Sequence, residues 1–485
     1  MDRSKRFTSA LSASSVVTLF VSLLVLTACS AAGDGGPPPP PPPDSIRATA
    51  FLDTLEQRTF GYFWDLTNPH NGLTPDRWPT PSFSSIAAVG FALTAYPIGV
   101  EHGWITRQQA AQRTLTTLSF FQHAPQDSAT SGVTGYHGFF YHFLDMNSGT
   151  RYQDVELSTI DTALLLAGVL FGQSYFDASD SVETAIRAVA ESLYDRVDWR
   201  WASPRAPLVS MGWHPEQGFL SADWRGYNEA MILYVEALGS PTHAVDSTAW
   251  TGWTAGYQWG QYYGQSYVQF APLFGYQYSH VWIDFRGIQD AYMRAHGIDY
   301  FENSRRATYA QRAYAADNPG DWKAYGASIW GLTACDGPAN ATVEVDGATR
   351  QFHTYWARGA AAGDVRDDGT LAPTAAGGSV PFAPEIAIPA LLAMREGYGD
   401  RLFSRYGFLD AFNPTFTTTT VPVEGGSVDP AAGWMDGDYL GIDEGPILAM
   451  VENYRTGLVW RTMQRNPHIV QGLRRAGFTG GWLAQ

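Results

Sequence analysis

Carboxylates are the side chains with which this chain could do chemistry, and they fall into three groups. Glu229 closes the stretch Trp224-Arg225-Gly226-Tyr227-Asn228-Glu229 and leads into Ala230 to Leu238. The apolar residues there recur at helical spacing, which predicts a helix from Asn228 to Leu238 with Glu229 in its first turn, at the edge of a core. The second group is Asp154, Glu156 and Asp161, ahead of Leu164, Leu165 and Gly168. Asp161 falls on the apolar stripe of that helix, and Asp154 shares the face if the helix extends back. The third is Asp436, Asp438, Asp443 and Glu444, in a glycine-rich loop after Trp434. This loop feeds a helix for which Pro446 suits the first position. Charges on an apolar stripe are costly unless paired or used. Two carboxylates facing one cleft can divide general-acid and general-base work.

Each group also has an ordinary explanation. Glu229 would complement a helix dipole, Asp161 would pair with an arginine or cap a loop, and Asp443 or Glu444 would cap a helix. A calcium loop fits the third group poorly, because the oxygen-ligand spacing of an EF-hand is absent.

Further polar and aromatic residues suit a sugar cleft. His280, Trp282, Asp284 and Arg286 combine an imidazole, an indole and an Asp/Arg pair within seven residues, and Glu385 stands at another helix start. Trp213, His214, Trp224, Arg225, Tyr227, Asn228, Trp434, Asp436 and Glu444 complete the expected substrate-binding set. The aromatics between Trp250 and Tyr278 lie among Gly and Gln without helical period, and flat rings beside amides suit pyranoses. No Gly-x-Ser-x-Gly elbow, phosphate loop, dinucleotide fingerprint or His-Glu-x-x-His is present. His137 and His142 lie five apart without a cysteine or acidic partner at metal spacing.

The elements that must position these residues are helical. Periodicity predicts about a dozen helices, among them one beginning at a Thr106 cap, and others over 157–171, 182–197, 283–295, 305–316, 383–394, 446–460 and 467–476. The long loops between them, rich in Gly, Pro and aromatics, are of the kind that carries function. Helices alternating with such loops suit a closed double ring whose loops make a cleft at one end. Residues 341–352 alternate like a hairpin.

At 485 residues and 45% hydrophobic, the chain can bury a large core, read as one domain over 46–485. Its net charge of -16 excludes nucleic acid and other polyanions as partners. Arg3, Lys5 and Arg6 precede an apolar run that ends Leu26-Thr27-Ala28-Cys29, which resembles the lipobox of bacterial lipoproteins. On that reading residues 1–28 are a signal peptide, Cys29 is acylated, and 29–45 is a proline-rich spacer. Ser30 after the cysteine favours an outer-membrane lipoprotein, facing the periplasm or the cell surface. Cys335 then remains alone, so no intramolecular disulfide is expected.

Thr59 to Trp64, Glu156 to Leu164, Trp224 to Glu229, and Tyr439 to Asp443 through Glu452 to Arg455 resemble, in order, the glycoamylase-like domain of glycoside hydrolase family 144. That family contains endo-β-1,2-glucanases and exo-acting sophorose-releasing enzymes. The resemblance spans about Ile46 to Trp482. It implies an all-α, (α/α)6 barrel and an inverting hydrolase of β-1,2-glucan, monomeric and using no cofactor or metal. Residue by residue, Glu229 matches the general acid and Asp443 the base side, with Asp154, Glu156 and Asp161 near the cleaved bond. A helix start lowers a carboxyl pKa, so the acid role requires Glu229 to be desolvated by neighbours such as Trp224 or Tyr227. The rival readings are an exo-acting enzyme, a polysaccharide lyase, for which no basic cleft motif is present, and a non-catalytic glycan-binding lipoprotein.

Overall fold

A computed structural model describes residues 43–484. The expected signal peptide, Cys29 and residues 30–42 of the expected spacer lie outside the described residues, while the last spacer positions, 43–45, already belong to the first helix. The chain is 44% helix and 16% strand, so the expected all-α class becomes mostly helical with many small hairpins. Fifteen α-helices are described. They are α1 (Pro43–Leu66), α2 (Ile86–Glu101), α3 (Arg107–His123), α4 (Thr159–Tyr175), α5 (Ser181–Asp195), α6 (Met231–Gly239), α7 (Thr248–Thr254), α8 (Tyr278–Trp282), α9 (Ala291–His296), α10 (Tyr300–Asp317), α11 (Pro373–Gly377), α12 (Pro384–Tyr398), α13 (Gly441–Arg455), α14 (Leu458–Met463) and α15 (Pro467–Arg475).

Local chemistry sets several of these boundaries. Thr106 caps α3 in a reciprocal box with Gln109, which satisfies two otherwise orphaned amides. Asn466 caps α15 and Pro467 occupies its first turn, where a missing N–H costs nothing. Elsewhere the sequence pattern misplaces the ends. The span 283–295 is helical only over α9, because Asp290 caps a new start. The span 446–460 is two helices, broken at Gly457, which takes φ +69°. Pro446 sits inside α13 rather than at its first position.

Three helix starts share one design. A two-residue strand enters each: Ser84–Ser85 before α2, Leu157–Ser158 before α4, and Tyr439–Leu440 before α13. The first pairs with 143–144 and the third with 77–78, both antiparallel. The second is the middle strand of a five-stranded sheet ordered 135–136, 139–141, 157–158, 212–214, 218–219. Such pairs fix the direction of the chain as it turns into the helix. α2 and α4 then touch backbone to backbone: a Cβ on Gly90 would lie 2.2 Å from the Leu164 carbonyl oxygen, and one on Gly168 would lie 2.2 Å from that of Gly90. Only glycine permits that spacing. α13 lies against α2, with Phe91 filling the space beside Gly445.

The main core joins all the long helices, and a smaller one gathers Trp322, Phe352, Phe416 and Trp434 beneath the hairpin 341–345/348–352. The expected aromatic platform between Trp250 and Tyr278 is largely core. Trp250, Trp253, Tyr257, Tyr267, Tyr276 and Tyr278 are all buried, because α7 and a hairpin over 259–268 impose a period that the loop reading did not assume.

Candidate active site

Glu229 lies in the turn just before α6, whose first residue is Met231, not in the helix itself. Asn228 Oδ1 accepts from the Ala230 amide at 3.0 Å. Ser279 Oγ donates to the Glu229 carbonyl and accepts from the Ile232 amide, each at 2.9 Å, so α8 clamps the turn. Trp224 Nε1 donates to Thr159 Oγ1 at 2.9 Å, tying the Glu229 stretch to the start of α4. Burial raises the Glu229 carboxyl to about 7, its own backbone amide opposes that, and the Asp161 charge adds to it. The requirement for a raised pKa is therefore met by burial, which outweighs the neighbouring backbone amide.

Asp161, in the first turn of α4, accepts from its own N-cap, Ser158 Oγ, at 2.5 Å. His142 bridges two acids, with Nδ1 2.8 Å from Glu156 Oε1 and Nε2 3.4 Å from Asp161 Oδ2. Burial would lower that imidazole, but Asp161 and Glu156 outweigh it and carry it up to about 9. Burial works on Glu156 in the opposite sense, and His142 overcomes it to hold that carboxyl below its usual range. His142 is thus a cation at neutral pH. Asp154 does not join them, since α4 starts only at Thr159 and leaves Asp154 exposed in a turn.

On the other side stands a denser group. Asp443 in the first turn of α13 is buried, and its carboxyl is pushed well above the usual range by burial and by Asp410. Burial and Asp336 carry Asp410 up to about 7. Two buried carboxyls this close hold one proton between them, so the base side is a pair. Asp410 Oδ2 accepts from the Asp336 amide at 2.7 Å, and Arg77 Nη1 donates to Asp336 Oδ2 at 2.7 Å. Asp438 Oδ1 accepts from the Thr80 amide at 2.9 Å, and Asp436 Oδ1 from the Gly437 amide at 2.6 Å. Trp434 Nε1 donates to the Gly425 carbonyl. Beside the Asp410/Asp443 pair lies a cavity of about 370 Å³ lined by Arg77, Phe83, Asp336, Tyr355, Trp434 and Asp436, among others.

Tyr278 connects the two sides. Its phenol is buried, and after burial the groups that most hold its proton in place are Asp443, Tyr355, Glu229 and Asp410. Glu229 and the Asp410/Asp443 pair therefore bear on one hydroxyl.

Several expected binding residues are structural. His280 is fully buried, held below its usual range at about 3 by burial, and 3.1 Å from Ser304 Oγ. Trp282 donates to Thr94 inside the core. Asp284 and Arg286 form a two-bond ion pair, with the guanidinium 4.3 Å from the Trp460 ring. Glu385 ties α12 to α10 through Arg305 and Tyr309. Tyr227 packs between Tyr276 and Tyr300, and Glu444 is buried beside Thr59 of α1. The acid–indole–base spacing that suggested a cleft is in these cases the spacing of core residues and of ion pairs. Arg225 is exposed. Trp213 is half-buried beside Tyr136 and Trp201, and His214 Nδ1 lies 3.4 Å from Arg151 Nη2.

Asp76, Arg77, Asp336, Asp410, Tyr278 and Tyr355 were not legible as site residues. Asp76 and Arg77 reach the site through the pairing of 77–78 with 439–440, and Asp336 and Asp410 through contacts far apart in sequence. The adjacency of Asp76 and Arg77 was the one local signal. Among the described residues, Asp336, Asp410 and Asp436 each offer an oxygen within 4.8 Å of the others, as do Glu56, His102 and Glu452. Arg77 already pairs with the first set and Arg455 with the second.

Buried carboxyls with raised pKa values on a largely helical frame are the equipment of the glycoside hydrolase class. Residues 221–467 match the family model Glycoamylase, and the chain belongs to that family, of the glycoside hydrolase family 144 type. An exo β-1,2-glucooligosaccharide sophorohydrolase (non-reducing end) of Parabacteroides distasonis is 28% identical over 87% of this chain. The chain spans 57% of that relative's length. The endo-β-1,2-glucanase of Chitinophaga pinensis, solved with sophorotriose and glucose, is 27% identical with a TM-score of 0.76, over 90% of this chain and 99% of that one. A β-1,2-glucanase structure from P. distasonis is 26% identical, with a TM-score of 0.75 over 89% of this chain and 60% of that one.

Proposed function

We propose that the protein hydrolyses β-1,2-glucan as an inverting endo-β-1,2-glucanase on an (α/α)6 barrel. The observation that carries this is the pairing of a carboxyl held protonated near neutrality, Glu229, with a proton-sharing pair, Asp410/Asp443, across Tyr278. Glu229 donates its proton to the glycosidic oxygen as that C–O bond breaks. Water attacks the anomeric carbon from the opposite face and gives its proton to the Asp410/Asp443 pair, directly or through a substrate hydroxyl. The products are a free hydroxyl on one fragment and an α-anomeric hemiacetal on the other. Asp161 and Glu156, bridged by His142, fix the acid wall and offer acceptors to sugar hydroxyls. The exo-acting, sophorose-releasing mode is a second reading, favoured by the name of the P. distasonis relative. We also propose that the enzyme is a monomer anchored through an acylated Cys29 in the outer membrane.

Glu229→Gln tests the assignment: it is expected to lower kcat on linear β-1,2-glucan by about 10³-fold or more, with thermal unfolding unchanged. Proton NMR of fresh wild-type products is expected to show the α-anomer first, and product sizes at early times separate internal from end-wise cutting. Wild-type turnover by the variant, or initial β-anomer, would overturn the mechanism.

A further inference from the structure

Tyr355 is the most exposed of the large apolar side chains that stand out from the described surface, at 55%, yet it stands on one of the most firmly held loops in the protein. Arg358, fully buried, donates to Asp368 through Nε at 2.7 Å and Nη2 at 2.8 Å. Its Nη2 also reaches the carbonyls of His353 and Thr354, each at 3.1 Å. The His353 amide donates to Asp368 Oδ2 at 3.0 Å, and the Thr354 amide to Asn340 Oδ1 at 3.2 Å. The two residues before Tyr355 are therefore fixed at both amides and both carbonyls. A buried ion pair is a costly way to hold a surface loop, and what it holds up is one bare ring.

That ring forms part of the cavity wall with Arg77, Phe83, Asp336 and Asp436. The amide of Asp336 in that wall donates to Asp410 Oδ2 at 2.7 Å, which sets the wall beside the base-side carboxyls. An aromatic face fixed in advance binds without losing side-chain freedom, and the C–H face of a pyranose is its natural partner. The carboxylates around it accept hydrogen bonds from neutral sugar hydroxyls and repel anionic ones.

We infer that Tyr355 is a substrate-positioning platform: its ring stacks on a glucosyl residue of the bound chain on the base side of the cleft and holds that sugar over Asp443 and Asp410. The inference rests on the β-1,2-glucan reading and adds to it a residue in a segment outside those through which the family resemblance was drawn.

The test is calorimetric binding of β-1,2-linked gluco-oligosaccharides to Glu229→Gln, with and without a second substitution at 355, beside steady-state kinetics in the otherwise wild-type enzyme. Adding Tyr355→Ala is expected to weaken binding about tenfold, as loss of a buried aromatic contact does. Tyr355→Phe is expected to keep most of the affinity, since the ring face is retained. In kinetics, Tyr355→Ala raises KM more than it lowers kcat, with the unfolding temperature unchanged. If Glu229→Gln binds and Tyr355→Ala binds equally well, the platform alone falls. Failure of Tyr355→Phe to restore binding would show that the hydroxyl, not the ring, acts, and would also overturn it. If Glu229→Gln binds no β-1,2-glucan, the substrate reading falls and the platform with it.

Discussion

A general acid must keep its proton at the pH where it works, and burial gives the Glu229 carboxyl that capacity. Residue types and spacing made this carboxylate legible as a candidate, and its helix start as an obstacle. Burial overcomes the obstacle, and the helix itself begins two residues after Glu229, at Met231. That difference was invisible in the sequence, since Asn228 to Leu238 is apolar enough to continue the periodicity through the turn. Asp161 adds to the effect by placing a negative charge near Glu229. Asp161→Asn removes that charge, which favours the ionised form of Glu229 and lowers its pKa. The alkaline limb of kcat/KM is then expected to move to lower pH. A limb that stays in place in a pH–rate profile of the variant would show that Glu229 does not feel Asp161.

At the scale of elements, caps and prolines made the helices readable, and pairing between distant segments made the site unreadable. Thr106, and Asn466 with Pro467, mark their helices within a few residues. The two-residue strands before α2, α4 and α13 carry no local periodicity, and their partners at 143–144, 77–78 and 212–213 lie far along the chain. Those pairings bring His142, Arg77 and Asp76 beside acids that the sequence had already picked out. The spacing they serve is set by Gly90 and Gly168. Gly168→Ala puts a methyl group 2.2 Å from the Gly90 carbonyl oxygen, and backbone cannot give way as a side chain can. A loss of about 1–3 kcal/mol in chemical denaturation is expected, with a fall in kcat, because the start of α4 that carries Asp161 shifts. Unchanged kcat in a folded variant would mean that the α2–α4 contact does not position the site.

For the whole molecule, the sequence made the class and the sparse, acidic surface legible. It left open how the loops build the cleft, because that depends on the hairpin 341–352 and its small core, which no periodicity connects to α13. Net charge of -16 and a cavity lined by aspartates fit a neutral polymer as substrate. The proposed lipid anchor has its own test. Cys29→Ser is expected to release the protein into the soluble fraction with activity intact, and membrane retention of that variant would refute acylation as the anchor. The Arg358 clamp adds something about descent. It grips the loop by the carbonyls of His353 and Thr354 and by an aspartate at 368, so nothing in it depends on which side chain stands at 355. A lineage that keeps Arg358 and Asp368 can exchange that one tip residue without refolding the loop, and so try new sugars at the cost of single substitutions.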